Sequence, residues 1–140
     1  MAGTSRRALR TSIQLPHAPT SAKEARRFVE ATLHGWGLDA LIEVVVLLAG
    51  ELVTNAITHT PAATVGIGLV VYSGDDVVRV EVYDASAQLP DLGGLAGGDA
   101  ESGRGLGLVA TLATRWGVDA NVDGEGHDDG KTVWFEVHTR

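Results

Sequence analysis

Apolar residues return at steps of three and four along residues 41 to 60, LIEVVVLLAGELVTNAITHT, where Leu41, Val44, Val45, Leu48, Leu52, Val53, Ala56 and Ile57 form one wide stripe. That period predicts a helix with a buried face. Upstream, Ala25, Phe28, Val29, Thr32 and Leu33 repeat the spacing behind the N-cap candidates Thr20 and Ser21, with Glu24 completing a capping box. Gly35 and Gly37 end this first helix around Trp36, and Asp39 caps the second, which stops before Pro61. A short strand, Thr11 to Leu15, precedes both and is closed by Pro16 and Pro19. Beyond Ala63 the period shortens to two. Thr64 to Tyr72 and Val77 to Tyr83 read as strands joined by the turn Ser73-Gly74-Asp75-Asp76, and Val78, Val80 and Val82 alternate with Arg79, Glu81 and Tyr83. Leu106 to Trp116 returns to helical spacing with Gly117 as its stop, and Val118 to Val122 and Thr132 to Val137 pair as strands around a polar turn. The fold class expected is α+β, a two-layer sandwich with a mostly antiparallel sheet and about three helices on one face.

A length of 140 residues with 44% hydrophobic content fits one globular domain over residues 11–140, behind a flexible N-terminal tail over residues 1–10. The net charge of −7 argues against a general nucleic-acid or anionic-membrane surface, so no DNA partner is expected. The absence of cysteine excludes disulfides and thiolate metal sites and suits a reducing compartment. MAGTSRRALR has no apolar run behind its charges, and no stretch is expected to reach the roughly 20 apolar residues of a membrane span. A cytoplasmic protein without a membrane partner is the expectation.

Two polar residues interrupt the long stripe. Glu51 and Asn55 stand four apart and share one side of the helix. A carboxylate and a carboxamide next to an apolar face suit a cation and the water or hydroxyl beside it, Asn55 giving a neutral oxygen ligand and Glu51 accepting a proton. Taken alone, the stretch reads better as an exposed helix edge with two ordinary polar residues. Asp84 closes the second central strand, and residues 85 to 105 hold six glycines and little that could pack, the composition of a lid or binding loop. GRGLGL at 103 to 108 opens a helix, where glycine backbone and free amides approach phosphate oxygens. It is no dinucleotide fingerprint, because Leu108 stands where a third glycine belongs and no βαβ unit surrounds it. Gly130-Lys131-Thr132 is no P-loop, because Glu125 replaces the required glycine and a strand follows. His127 with Asp123, Asp128 and Asp129 matches no metal-ligand spacing, and His59 reads as a helix-end residue.

In order, these motifs resemble the Bergerat-fold (GHKL) ATPases, the superfamily of type II topoisomerases, heat-shock chaperones, mismatch-repair proteins and histidine kinases. Within it the chain is most similar to the small bacterial anti-sigma-factor serine/threonine kinases. ELVTNAITH resembles their N-box, VEVYDAS the first glycine box, GRGLGLV the second and GKTVWFEV the closing strand, a likeness that spans residues 11 to 138. The resemblance implies ATP and Mg²⁺ as cofactors, Asn55 as the Mg²⁺ ligand and Glu51 as general base for transfer of the γ-phosphate to Ser or Thr. It further implies that Asp84 accepts the adenine amino group, that Thr132 stands near adenine and Asp84, and that Gly103, Arg104, Gly105, Leu106 and Gly107 surround the β- and γ-phosphates. Ser86 replaces the first glycine of the first box and Gln88 the second, which puts a side chain where backbone passes close to the base. An anti-anti-sigma antagonist and a sigma factor are the implied protein partners, with a homodimer as the implied assembly. A non-catalytic ATP-binding regulatory interaction module and a simple ATPase are the alternatives. A histidine kinase is not expected, since the segment ahead of the first helix has no room for a phosphoacceptor hairpin.

Overall fold

The computed structural model describes residues 8–59, 67–84, 107–122 and 128–139. Strand β1 (Leu9–Leu15) leads into helix α1 (Ser21–Gly35), a 3₁₀ turn (Asp39–Leu41) and helix α2 (Ile42–His59). Strands β2 (Ile67–Gly74) and β3 (Val77–Asp84) follow, then a helical stretch α3 (107–112), and strands β4 (Arg115–Val122) and β5 (Asp128–His138). The five strands form one antiparallel sheet in the order β1-β2-β3-β5-β4. This is the expected α+β architecture.

Register puts one residue set inward across the whole sheet. Ile13 pairs with Leu69, Leu69 with Val82 and Val82 with Val133; one step along, Val71, Val80 and Phe135 align. Side chains alternate between faces along a strand, so these rows share one side. All but Ile13 are buried there, with Ala25, Val29 and Leu33 of α1, Val45, Leu48, Leu52 and Val53 of α2, and Val109 of α3. Two layers thus enclose one core.

The opposite face is polar and tied together. Arg79 donates to Glu81 at 2.7 Å and to Glu136 at 2.9 Å, and its guanidinium lies 4.0 Å over the Trp134 ring. Partial burial lowers the Arg79 pKa, but the hydrogen bonds and charges of Glu81 and Glu136 outweigh it and raise the value overall. Trp134 also lies flat across Gly117, where an added Cβ would come within 2.7 Å of the ring.

Local boundaries depart from the sequence expectation where tertiary pairing overrides spacing. The third helix does not run to Trp116: β4 starts at Arg115, because Arg115 and Trp116 pair with Glu136 and Phe135, and Gly117 sits inside a strand under Trp134. Strand β5 likewise begins at Asp128 rather than Thr132. At α1 the N-cap Thr20 makes no side-chain cap, and the Ser21 hydroxyl donates to the Pro16 carbonyl instead of closing a capping box. Asp39 opens the 3₁₀ turn and accepts a hydrogen bond from His34 Nδ1 at 2.6 Å. The stretch Asp39–Thr58 is, against expectation, long and apolar enough to cross a membrane, with a mean hydropathy of 1.9 over an 18-residue window of its 20 residues.

Two predictions follow from these contacts. The β2–β3 hairpin turns on Asp75 and Asp76 with φ of 52° and 63°, the two positive values of a type I′ turn. Asp75→Val, whose branched Cβ opposes that conformation, is expected to lower stability by roughly 1–2 kcal/mol in urea unfolding. The second concerns His34, whose pKa is raised above the usual imidazole range by its hydrogen bond to Asp39 and then by that carboxylate's charge. The stabilising contribution is therefore full at pH below the unfolded-state value of about 6.5 and is lost as pH rises through the higher folded-state value. An NMR titration should place the His34 midpoint above that of Asp39→Asn, and an identical midpoint in the two proteins would refute the pairing.

Candidate functional site

The inward row of the sheet changes character at one end. Along β3, Val78, Val80 and Val82 are followed by Asp84; along β5, Val137, Phe135 and Val133 are preceded by Lys131; and Asp84 pairs directly with Lys131. Lys131 Nζ donates to Asp84 Oδ1 at 3.0 Å, with side-chain exposures of 3% and 2%. Buried charges of this kind persist only when paired, because breaking such a pair costs about 3–5 kcal/mol. Gly130 just before Lys131 takes φ 96°, a conformation that side chains oppose, beside an irregularity in the β4 pairing at Ala120 and Val122.

Asn55 lines the same crevice as this pair, from the helix layer. A narrow crevice is lined by Leu52, Asn55 and Ala56 of α2, Val82 and Asp84 of β3, and Lys131 and Val133 of β5. Its walls are apolar on both flanks, and its polar groups are an amide, a carboxylate and an ammonium. With about 10 Å³ of open space, room for roughly one water, the crevice must widen to admit a larger polar-edged ligand. Glu51 is half-buried one helical turn before Asn55 and is not among the lining side chains. No group of three or more His, Asp or Glu able to hold a metal occurs among the described residues. A single amide oxygen such as that of Asn55 fits Mg²⁺ chiefly as one ligand beside waters and ligand phosphates.

The sequence-derived site is therefore brought together in part. Asn55 and Asp84 converge on the crevice. Thr132 does not: it pairs with Tyr83, one step from Asp84, so strand alternation turns it to the opposite face, and Lys131 stands where Thr132 was expected. Gly107 opens the helical stretch 107–112, with nothing described within 4 Å of an added Cβ. Ser86, Gly103, Arg104, Gly105 and Leu106 lie outside the described residues. Lys131 is the residue that sequence reasoning missed. The signal was there, since Lys131 shares parity with Val133, Phe135 and Val137 and so belongs to the buried row.

A hydrophobic isostere tests the pair directly. Lys131→Met should cost roughly 3–5 kcal/mol in chemical denaturation by removing the ammonium from the buried Asp84 carboxylate, and adding Asp84→Asn should restore most of it. Simple additivity of the two changes would show that the pair is not coupled.

Comparisons with known proteins agree with this architecture. In the crystal structure of the RsbU and RsbW domains of Rv1364c from Mycobacterium tuberculosis, a similar fold aligns with a TM-score of 0.69 and 21% identity over 93% of this chain. The aligned region is 32% of that longer chain. No curated protein matches. The family described as the histidine kinase-like ATPase domain matches residues 15–136, from the end of β1 into β5. The match over most of the chain places it in the histidine kinase-like ATPase domain family, and the structural similarity gives it a GHKL-type fold.

Proposed function

We propose that the chain is an ATP-dependent protein serine/threonine kinase of the anti-sigma-factor type, acting in the bacterial cytoplasm on a small antagonist protein and binding a sigma factor in alternation. The observation that carries this reading is the convergence of Asn55 and Asp84, from separate layers, on one crevice with apolar flanks. The adenine ring would lie between Ala56 and Leu52 on one side and Val82 and Val133 on the other, its amino group directed at Asp84. Asn55 would hold Mg²⁺, which when bound neutralises the phosphate charge that builds up during transfer. Glu51, one turn away on the same helix side, would take the proton from the attacking Ser or Thr hydroxyl as the γ-phosphorus–oxygen bond forms and the bond to the β-phosphate oxygen breaks. Arg104 and the glycines of the second box, Gly103, Gly105 and Gly107, would cradle the phosphates through backbone amides and one guanidinium.

A second reading has an observation of its own. Ser86 and Gln88 occupy the two glycine positions of the first box. That departure favours a non-catalytic module in which ATP is a structural ligand that shapes a surface for the protein partners. The two readings separate in one experiment. Purified protein, Mg²⁺, γ-labelled ATP and the cognate antagonist should give labelled Ser or Thr, and Glu51→Ala should lower that transfer by about 10²–10⁴-fold while nucleotide binding persists. Asn55→Ala should weaken binding in Mg²⁺ but much less in EDTA. Tight ATP binding with neither transfer nor hydrolysis would select the structural-ligand reading, and phosphate release without an acceptor would select a plain ATPase.

A further inference from the structure

Lys131 sits inside the base end of the proposed nucleotide crevice, and its chemistry changes what that end can recognise. A carboxylate alone on an apolar wall accepts the 6-amino group of adenine and repels the 6-keto oxygen of guanine. Here the carboxylate has an ammonium 3.0 Å away, and both line the same crevice beside Asn55. Acceptor and donor are thus offered together, close enough for neighbouring atoms of one purine edge to meet both. We propose that Lys131 is a base-reading residue, and that with it the site accepts 6-keto as well as 6-amino purine triphosphates. The inference rests on the nucleotide-binding reading above and adds the purine class to it.

The hydrogen-bond count supports both bases. With adenine, the 6-amino group donates to Asp84 and N1 accepts from Lys131. With guanine turned in its plane, N1–H and the 2-amino group donate to Asp84 and O6 accepts from Lys131. Neither base leaves a buried charge without a partner, and unpaired groups are what make a polar pocket reject an analogue. The crevice has only about 10 Å³ of open space and Asp84 and Lys131 are 1% and 2% exposed, so a base meets either group only as the crevice opens, and Lys131 then exchanges part of its contact with Asp84 for the base. That exchange moderates affinity for both purines and narrows the gap between them.

Titration calorimetry on the wild-type chain with Mg²⁺ and ATP, GTP or 1-deaza-ATP tests this without any substitution. GTP should bind within about tenfold of ATP, and 1-deaza-ATP, which lacks the N1 acceptor, should bind about tenfold more weakly than ATP. In Lys131→Met, GTP should lose about tenfold or more relative to ATP, and in Lys131→Arg, which keeps a donor, the ratio should stay near the wild-type one. ATP binding with GTP rejected by about a hundredfold or more, and full affinity for 1-deaza-ATP, would overturn the role of Lys131 and leave the ATP site standing. No heat with any triphosphate would overturn both. Should Lys131→Met fail to fold, the wild-type nucleotide series alone decides the matter.

Discussion

An ammonium and a carboxylate held 3.0 Å apart inside the protein set the terms for the rest of the structure. Neither charge is tolerable there alone, so the register between β3 and β5 that pairs Asp84 with Lys131 is held from the polar end as well as from the apolar rows. A slip of one residue would send Lys131 to the outer face, bring Thr132 in, and reverse Val133, Phe135 and Val137 with it. The valine rows and the ion pair therefore impose the same alignment. Where the apolar row ends, the crevice begins, and α2 closes it with Asn55.

The outer face enforces that register independently. Arg79 of β3 reaches both its own-strand neighbour Glu81 and Glu136 of β5, and Arg115 of β4 approaches Glu136 at 3.7 Å. Tyr72 of β2 donates to Glu81 at 3.3 Å, so four adjacent strands are linked through two carboxylates. Exposed ion pairs contribute little singly. Here Glu136 is largely covered and Arg79 is stacked on Trp134, which makes the cluster a geometric constraint more than an energetic one.

How much of this was legible in the sequence depends on whether the signal was local. The long helix, the alternating strand Val77–Tyr83 and the two-layer plan are written in short-range periodicity, and they appear as read. The motif order also led to Asn55 and Asp84, which line one crevice. What was misread required knowledge of a distant partner. Leu106 to Trp116 has helical spacing, yet Arg115 and Trp116 are drawn into a strand by Glu136 and Phe135, and Gly117 is a seat for an indole instead of a helix stop. Thr132 was assigned by motif position, whereas the face it occupies is decided by parity with Val133 and by the Asp84–Lys131 pairing.

The composition of α2 shows the same dependence from the other direction. Read alone, Asp39–Thr58 has the length and apolarity of a membrane span. In the fold it lies between two surfaces, packing against α1 and against β3, and it needs apolar residues toward both. Val45, Leu48, Ala49, Leu52, Val53 and Ala56 are buried between those neighbours, and a helix contacted on two sides carries a wider apolar arc than one resting on a single layer. Gly50 belongs to the same requirement, since an added Cβ would come within 2.9 Å of the Arg26 guanidinium that crosses from α1. Toward the crevice the arc gives way to Asn55, flanked by Leu52 and Ala56. The same turn of helix thus seals the core and supplies the helix layer's polar group to the crevice.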